Sequence, residues 1–236
     1  MRQPFRFKQF SVSDDLCGMK LTGDAVLLGA IASPGTSGKI LDIGTGCGIL
    51  SLMMAQKSNA LIDAVEADAN AAMQASRNFA QSPWNNRMKI HQMAIQEYAE
   101  KCQKKYDCII SNPPYFQNKL KSTALNKSDA RHNSNLDFAR LSHCVSRLLS
   151  ETGTFWAIMP VSEKNNFLKA FLTRGLYCHS TIFIYDKPGR EPKRLISCFS
   201  FTVPESVPEQ TLILKNPDNS PSKAFIALTK DFYPGF

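Results

Sequence analysis

The sequence predicts an α/β fold, a mostly parallel sheet covered by helices with one antiparallel strand near the C-terminus. Three observations lead there. Short β-like runs alternate with helical stretches from about residue 39 to 174. The stretch beginning at Ile49 is apolar almost all round (Ile49, Leu50, Leu52, Met53, Met54, Ala55), as a helix buried against a sheet requires. Finally, STIFIYD (180–186) and RLISCFSFTV (194–203) are joined by KPGREPK, too short for a crossover helix, so they form an antiparallel hairpin.

Taken in order, a basic, aromatic N-terminal arm precedes a helix starting at about Asp24, with Thr22 or Asp24 as its cap. Strands are expected at 39–43, 61–66, 88–91, 106–111 and 153–159, and helices near 49–58, 69–80, 136–150 and 162–174. After the hairpin come a strand around 210–214 and a helix near 221–230. No Gly-, Pro- or Ser-rich linker divides the chain, which predicts one domain: arm and first helix (1–38), core sheet (39–203), closing strand and helix (204–236).

Of the 236 residues 43% are hydrophobic, enough for a sizeable core. No run reaches the roughly 18 apolar residues of a membrane span, and the start lacks the apolar segment of a secretion signal, so a cytoplasmic protein is expected. Seven cysteines without a C-x-x-C pair, and four scattered histidines, read as reduced thiols and no metal site. The net charge of +8 is concentrated: residues 101–150 hold nine basic and three acidic residues, whereas 1–100 hold nine of each. Lys119, Lys121, Lys127 and Arg131 fall in a Ser- and Asn-rich stretch that reads as a loop. Such a concentration of positive charge suits a polyanionic substrate.

In ILDIGTGCGIL (40–50), Gly44, Gly46 and Gly48 lie between the first core strand and the buried helix. Glycines there let a ligand approach the backbone, and the helix start offers free N–H groups. The G-x-G-x-G spacing departs from the G-x-G-x-x-G of dinucleotide sites. Glu66 ends the second strand, where a carboxylate can accept both hydroxyls of a ribose, and Asp68 reads mainly as the cap of the helix from Ala69. These features resemble the Rossmann-like S-adenosylmethionine-dependent methyltransferases from about Lys39 to 194–203. The resemblance implies a Rossmann-like methyltransferase sheet, with Asp42, Gly44, Gly46 and Gly48 around the methionine part of the cofactor and Glu66 at its ribose. It also marks a departure: Ala94 stands where an acidic residue often binds the adenine amine.

A Pro-Pro pair alone most often marks a turn. IISNPPYF (109–116), however, follows a short apolar strand in a chain whose glycine turn resembles that of methyl-donor sites. The exocyclic amine of adenine is a poor nucleophile because its lone pair is delocalised. The Asn112 side-chain oxygen and the Pro113 carbonyl can each accept one amine N–H and localise that pair. Proline restricts Asn112 to an extended backbone, and Tyr115 or Phe116 can stack on an extruded base. A glutamine side-chain amide presents the same planar NH2 group, so the motif by itself leaves N(5)-methylation of a translation factor open, as well as adenine in rRNA or DNA. The basic flank favours nucleic acid, and the absence of a separate DNA-reading domain favours RNA.

FKQF (7–10), MKLTGDAVLLGA (19–30), LDIGTGCG, QSPW (81–84), IISNPPYF, ARH (130–132) and ALTKDFY (227–233) together resemble the bacterial tRNA(Val) adenine N(6)-methyltransferase family over nearly the whole length. That resemblance implies methylation of the adenine 3′ to the anticodon, position 37. It places Lys20 and Asp24 near the cofactor and makes Arg131, Lys193 and Arg194 candidate RNA contacts beside Phe116, Lys119 and Lys121. A monomer is expected rather than an obligate oligomer.

Overall fold

The computed structural model describes residues 3–36, 38–113 and 137–235. Its core is an eight-stranded sheet. In chain order the elements are β1 (Phe5–Arg6), β2 (Ser11–Val12), α1 (Gly23–Ile31), β3 (Lys39–Ile43), α2 (Ile49–Lys57), β4 (Leu61–Glu66), α3 (Ala69–Ala80), β5 (Met88–Gln92), α4 (Ile95–Lys101) and β6 (Tyr106–Ser111). Then follow α5 (Phe138–Leu148), β7 (Leu149–Pro160), α6 (Lys164–Leu172), β8 (Tyr177–Tyr185), β9 (Arg194–Ser200), β10 (Glu209–Ile213) and α7 (Lys223–Thr229).

The strands lie in the order β10-β8-β9-β7-β6-β3-β4-β5, all parallel except β9, which runs against both β7 and β8. From β3 the chain moves outward through β4 to β5, then returns to the other side of β3 for β6 and β7. That reversal opens a crevice at the C-terminal ends of β3 and β6, where ligands bind in open α/β sheets.

Successive strand residues point to opposite faces, and both faces are covered. Ile40, Cys108 and Ile110 join the core under α1, α2 and α3; Leu41, Ile43 and Ile109 join the core under α4, α5 and α6. The second core contains stacked rings, with Phe155 against Phe171 (4.9 Å between centroids) and Phe171 against Phe167 (4.5 Å). Half-buried cations close the helix ends near the first core. Lys57 Nζ donates to the carbonyls of Gly29, Ala30 and Ala32 at the end of α1, and burial pushes its pKa down to about 8. Arg87 donates to the carbonyls of Ala55, in the last turn of α2, and Ala60 just beyond it.

Four expected strands or helices have the predicted bounds (39–43, 61–66, 69–80, 106–111), and Thr22 and Asp68 are caps, accepting from Ala25 N and Ala71 N. Some elements differ. α4 was not anticipated, being only two turns long, although Ile95, Tyr98 and Ala99 place a buried stripe at helical spacing. β7 begins at Leu149 rather than 153 because the polar residues 150–152 extend it beyond the apolar run. Within the expected arm, β1 and β2 pair as a small hairpin. Among the described residues no helix is long and apolar enough to cross a membrane.

Candidate active site

The crevice is built by two strand ends at the same level. Ile43 of β3 and Ser111 of β6 are register partners, and Ser111 Oγ donates to the Ile43 carbonyl at 2.9 Å. Gly44 and Asn112 are therefore the next residues on neighbouring strands, whose spacing is about 4.8 Å. The glycine turn and the Asn-Pro motif open onto the same edge. Asn112 is half-buried and Pro113 buried, whereas Tyr115, Phe116, Lys119, Lys121 and Arg131 lie outside the described residues.

The turn is held from both sides. Gly44 N and Thr45 N donate to the Val65 carbonyl at 2.9 and 3.2 Å, and Gly46 N donates to Glu66 Oε2 at 2.9 Å. Glu66 Oε1 accepts from Asp68 N at 3.0 Å. A carboxylate has about four acceptor positions, so the half-buried Glu66 keeps capacity for two ribose hydroxyls. Gly44, Gly46 and Gly48 have φ of 69°, 56° and 86°, a left-handed backbone that only glycine adopts without cost. In front of Gly44 and Gly46 an added Cβ would meet nothing within 4 Å among the described residues.

Asp42 is fully buried behind the turn. Its Oδ2 accepts from Thr45 Oγ1 (2.5 Å), Ser51 N (3.0 Å) and Ser51 Oγ (2.7 Å), while Oδ1 has no hydrogen-bond partner among the described residues. Burial pushes its carboxyl up to about 6, against the hydrogen bonds from Thr45 and Ser51 that favour ionisation. An uncapped acceptor behind a cradle with open glycine backbone fits a ligand that brings polar groups to the turn. That is the chemistry S-adenosylmethionine presents with its amino acid end.

Other expected site residues fall into two groups. Ala94, half-buried, caps α4 without a side-chain hydrogen bond beside the β5 edge. Lys20 is exposed and donates to the carbonyls of Asp14 and Asp15 (2.8 and 3.2 Å). Asp24 and Arg194 meet each other, Arg194 Nε donating to Asp24 Oδ2 at 2.7 Å, while Lys193 is exposed.

Sequence reasoning missed the strap of residues 13–21 and the two side chains that fasten it. Asn78 on α3, 2% exposed, accepts from Ser13 N (3.1 Å) and donates to the carbonyls of Ser13 (2.8 Å) and Cys47 (2.7 Å). Gln74, one turn earlier, accepts from Leu16 N. The readable signal was two amides at i, i+4 on a face otherwise made of Ala71, Ala75 and Phe79.

A sheet with one reversed strand, a left-handed glycine turn and an acidic residue closing the second core strand define the class: a Rossmann-like methyltransferase. The comparisons agree. A family model described as "Methyltransferase small domain" matches residues 21–131. A crystal structure of a predicted O-methyltransferase from Agrobacterium tumefaciens superposes with a TM-score of 0.68 over 88% of this chain and 96% of that one, at 18% identity. The tRNA1(Val) (adenine(37)-N6)-methyltransferase of Phocaeicola vulgatus is 44% identical over 97% of both chains, and that of Escherichia coli O157:H7 36% over 98% of this chain and 95% of its own. The chain belongs to the tRNA1(Val) (adenine(37)-N6)-methyltransferase family.

Proposed function

We propose that this protein transfers a methyl group from S-adenosylmethionine to the exocyclic N6 amine of adenine 37 in tRNA(Val), acting as a one-domain, monomeric, cytoplasmic enzyme without a metal. The observation that supports it most is the Ile43–Ser111 register, which sets the glycine turn and Asn112 side by side on one edge. When bound, the cofactor supplies an electrophilic methyl group on a sulfonium.

The residues of this chain do the rest. Gly44, Gly46, Gly48 and Asp42 shape the seat for the methionine part, and Glu66 accepts from the ribose. Lys20 and Asp24 flank the seat, and the Ala94 position is left to backbone groups. The Asn112 amide oxygen and the Pro113 carbonyl each accept an N–H of the adenine amine, which favours a pyramidal nitrogen with a localised lone pair. Its proton becomes acidic only as the new bond forms, so no base with a tuned pKa is needed. Tyr115 and Phe116 stack on the extruded base, and Lys119, Lys121, Arg131, Lys193 and Arg194 meet phosphates.

Asn112→Ala should lower kcat by roughly 100-fold or more with S-adenosylmethionine affinity retained, the usual effect of losing one preorganised acceptor or donor. Unchanged turnover would remove the motif from the chemistry. Digestion and mass spectrometry of tRNA from a strain lacking the protein should show adenosine in place of N6-methyladenosine at position 37. Methyl label from tritiated cofactor that survives ribonuclease and stays with protein would instead point to glutamine.

A further inference from the structure

Two stretches of the sequence, FKQF (7–10) and ALTKDFY (227–233), hold neither the glycine turn nor Asn112, yet the fold joins them. Lys8 N donates to the Phe232 carbonyl at 2.7 Å, and Lys8 Nζ to that of Lys230 at 2.6 Å. The Phe7 ring stacks on Tyr233 on one side (5.8 Å, 19°) and on Phe10 (4.6 Å). The seam forms one wall of a cavity of about 450 Å³ lined by Phe5, Arg6, Asp14, Thr22, Gly23 and Tyr233, among others. That volume is within the usual range of small-ligand sites.

Two of the cavity's walls are linked to the catalytic edge. Its far wall is the start of α1, and Asp24 there holds Arg194, the first residue of β9, whose register partner is Pro160 at the C-terminal end of β7. A third wall includes Asp14 in the strap that Asn78 ties to Cys47 of the glycine turn.

The lining has the composition of a nucleotide site. Phe5 is 45% exposed, a large aromatic surface to leave in water, and its ring stands edge-on to Tyr233 at 6.0 Å. Arg6 beside it is exposed and offers a planar cation to a phosphate. At Gly23 an added Cβ would meet nothing within 4 Å among the described residues, leaving backbone open to close approach. Rings that accept any base face, with a cation for the backbone, describe how unstacked nucleotides are held.

We propose that this cavity is a second subsite for the RNA substrate, seating an unstacked loop nucleotide near the methylated adenine by stacking on Phe5, with Tyr233 edge-on beside it, and by an Arg6 contact to its phosphate. The inference rests on the RNA reading of the catalytic edge. Its test is equilibrium binding of a tRNA(Val) transcript in the presence of S-adenosylhomocysteine, which needs no turnover. Phe5→Leu keeps apolar volume and loses the ring; Arg6→Gln loses the charge. Each should weaken binding roughly 10-fold, with melting temperature and cofactor affinity unchanged, and Phe5→Trp should restore it. Arg6→Gln should also reduce the salt slope of binding by about one phosphate contact, whereas Phe5→Leu should not. Wild-type affinity in both variants, or no binding of the transcript by wild type, overturns the subsite. A wild type that binds the transcript as the variants require but leaves it unmethylated overturns only the catalytic reading.

Discussion

Alanine at Gly48 and at Gly46 should separate two functions of the same turn. At Gly48 an added Cβ would stand 2.4 Å from Phe79 Cε1 and 3.0 Å from its Cζ, and Phe79 is 4% exposed in the core. Left-handed backbone costs an L-residue about 1–2 kcal/mol, and forcing a methyl group into a packed core costs about 1–3 more. The fold should lose about 2–5 kcal/mol, a melting drop of roughly 4–20 °C for a chain of this size. The clash also displaces the neighbour of Asn78, which fastens the strap. At Gly46 no atom of the described residues opposes a Cβ, so only the backbone cost of about 1–2 kcal/mol applies to stability. There the methyl group occupies the open space in front of the turn, and crowding of about 1–3 kcal/mol falls on the ligand, weakening it roughly 5- to 150-fold. Calorimetric melting and titration with S-adenosylmethionine measure both variants. Gly46→Ala binding the cofactor as tightly as wild type, or Gly48→Ala melting within about 2 °C of wild type, would refute the argument.

Two further outcomes follow from groups buried near the turn. Asp42→Asn removes a carboxyl whose folded value, about 6, lies above its ordinary 3.8. Because the folded state binds that proton more tightly, wild type is disfavoured above pH 6 and regains stability as pH falls through that value towards 4. Relative to the variant it should gain about 1 kcal/mol between pH 7 and pH 5 in urea unfolding; a pH-independent difference would contradict the assignment. Asn78→Ala leaves Ser13 N–H and the Ser13 and Cys47 carbonyls without their shared partner. It should cost about 2–4 kcal/mol and expose residues 13–21 to limited proteolysis in the folded protein, while cleavage unchanged from wild type would show the strap to be held otherwise.

What could be read in advance divides by range of interaction. Local grammar was legible: the strand β3 from its apolar run, the turn from its glycines, the start of α3 from Asp68, and β9 as a reversed strand from the short KPGREPK connection. Those depend on neighbours in sequence. Contacts across the fold were not legible, since no pattern within residues 74–78 says that Gln74 and Asn78 will receive a strap from 58 and 65 residues earlier, though two buried amides on an alanine face signal that some backbone must satisfy them. Arg194 and Asp24, 170 residues apart, likewise meet only because β9 reverses and brings its first residue to the end of β7.

The same division explains why this edge of the sheet breaks the rules that the rest of the chain obeys. Local propensity, capping and burial agree almost everywhere, yet three left-handed residues and a dehydrated carboxylate with one oxygen unpartnered among the described residues are concentrated within seven positions of one turn. A buried acceptor left without a partner costs about 1–3 kcal/mol, and replacing it would be easy for a sequence selected on stability alone. Glu66, by contrast, has both oxygens engaged by Gly46 and Asp68 and still retains acceptor capacity towards the crevice. The two carboxylates thus differ in kind: Glu66 braces the turn from the solvent side, and Asp42 sets its shape from behind at a cost to the fold. Such a concentration of unfavourable local choices marks a place shaped for a ligand. It stands one strand away from Asn112, which is why the two motifs read as a single site.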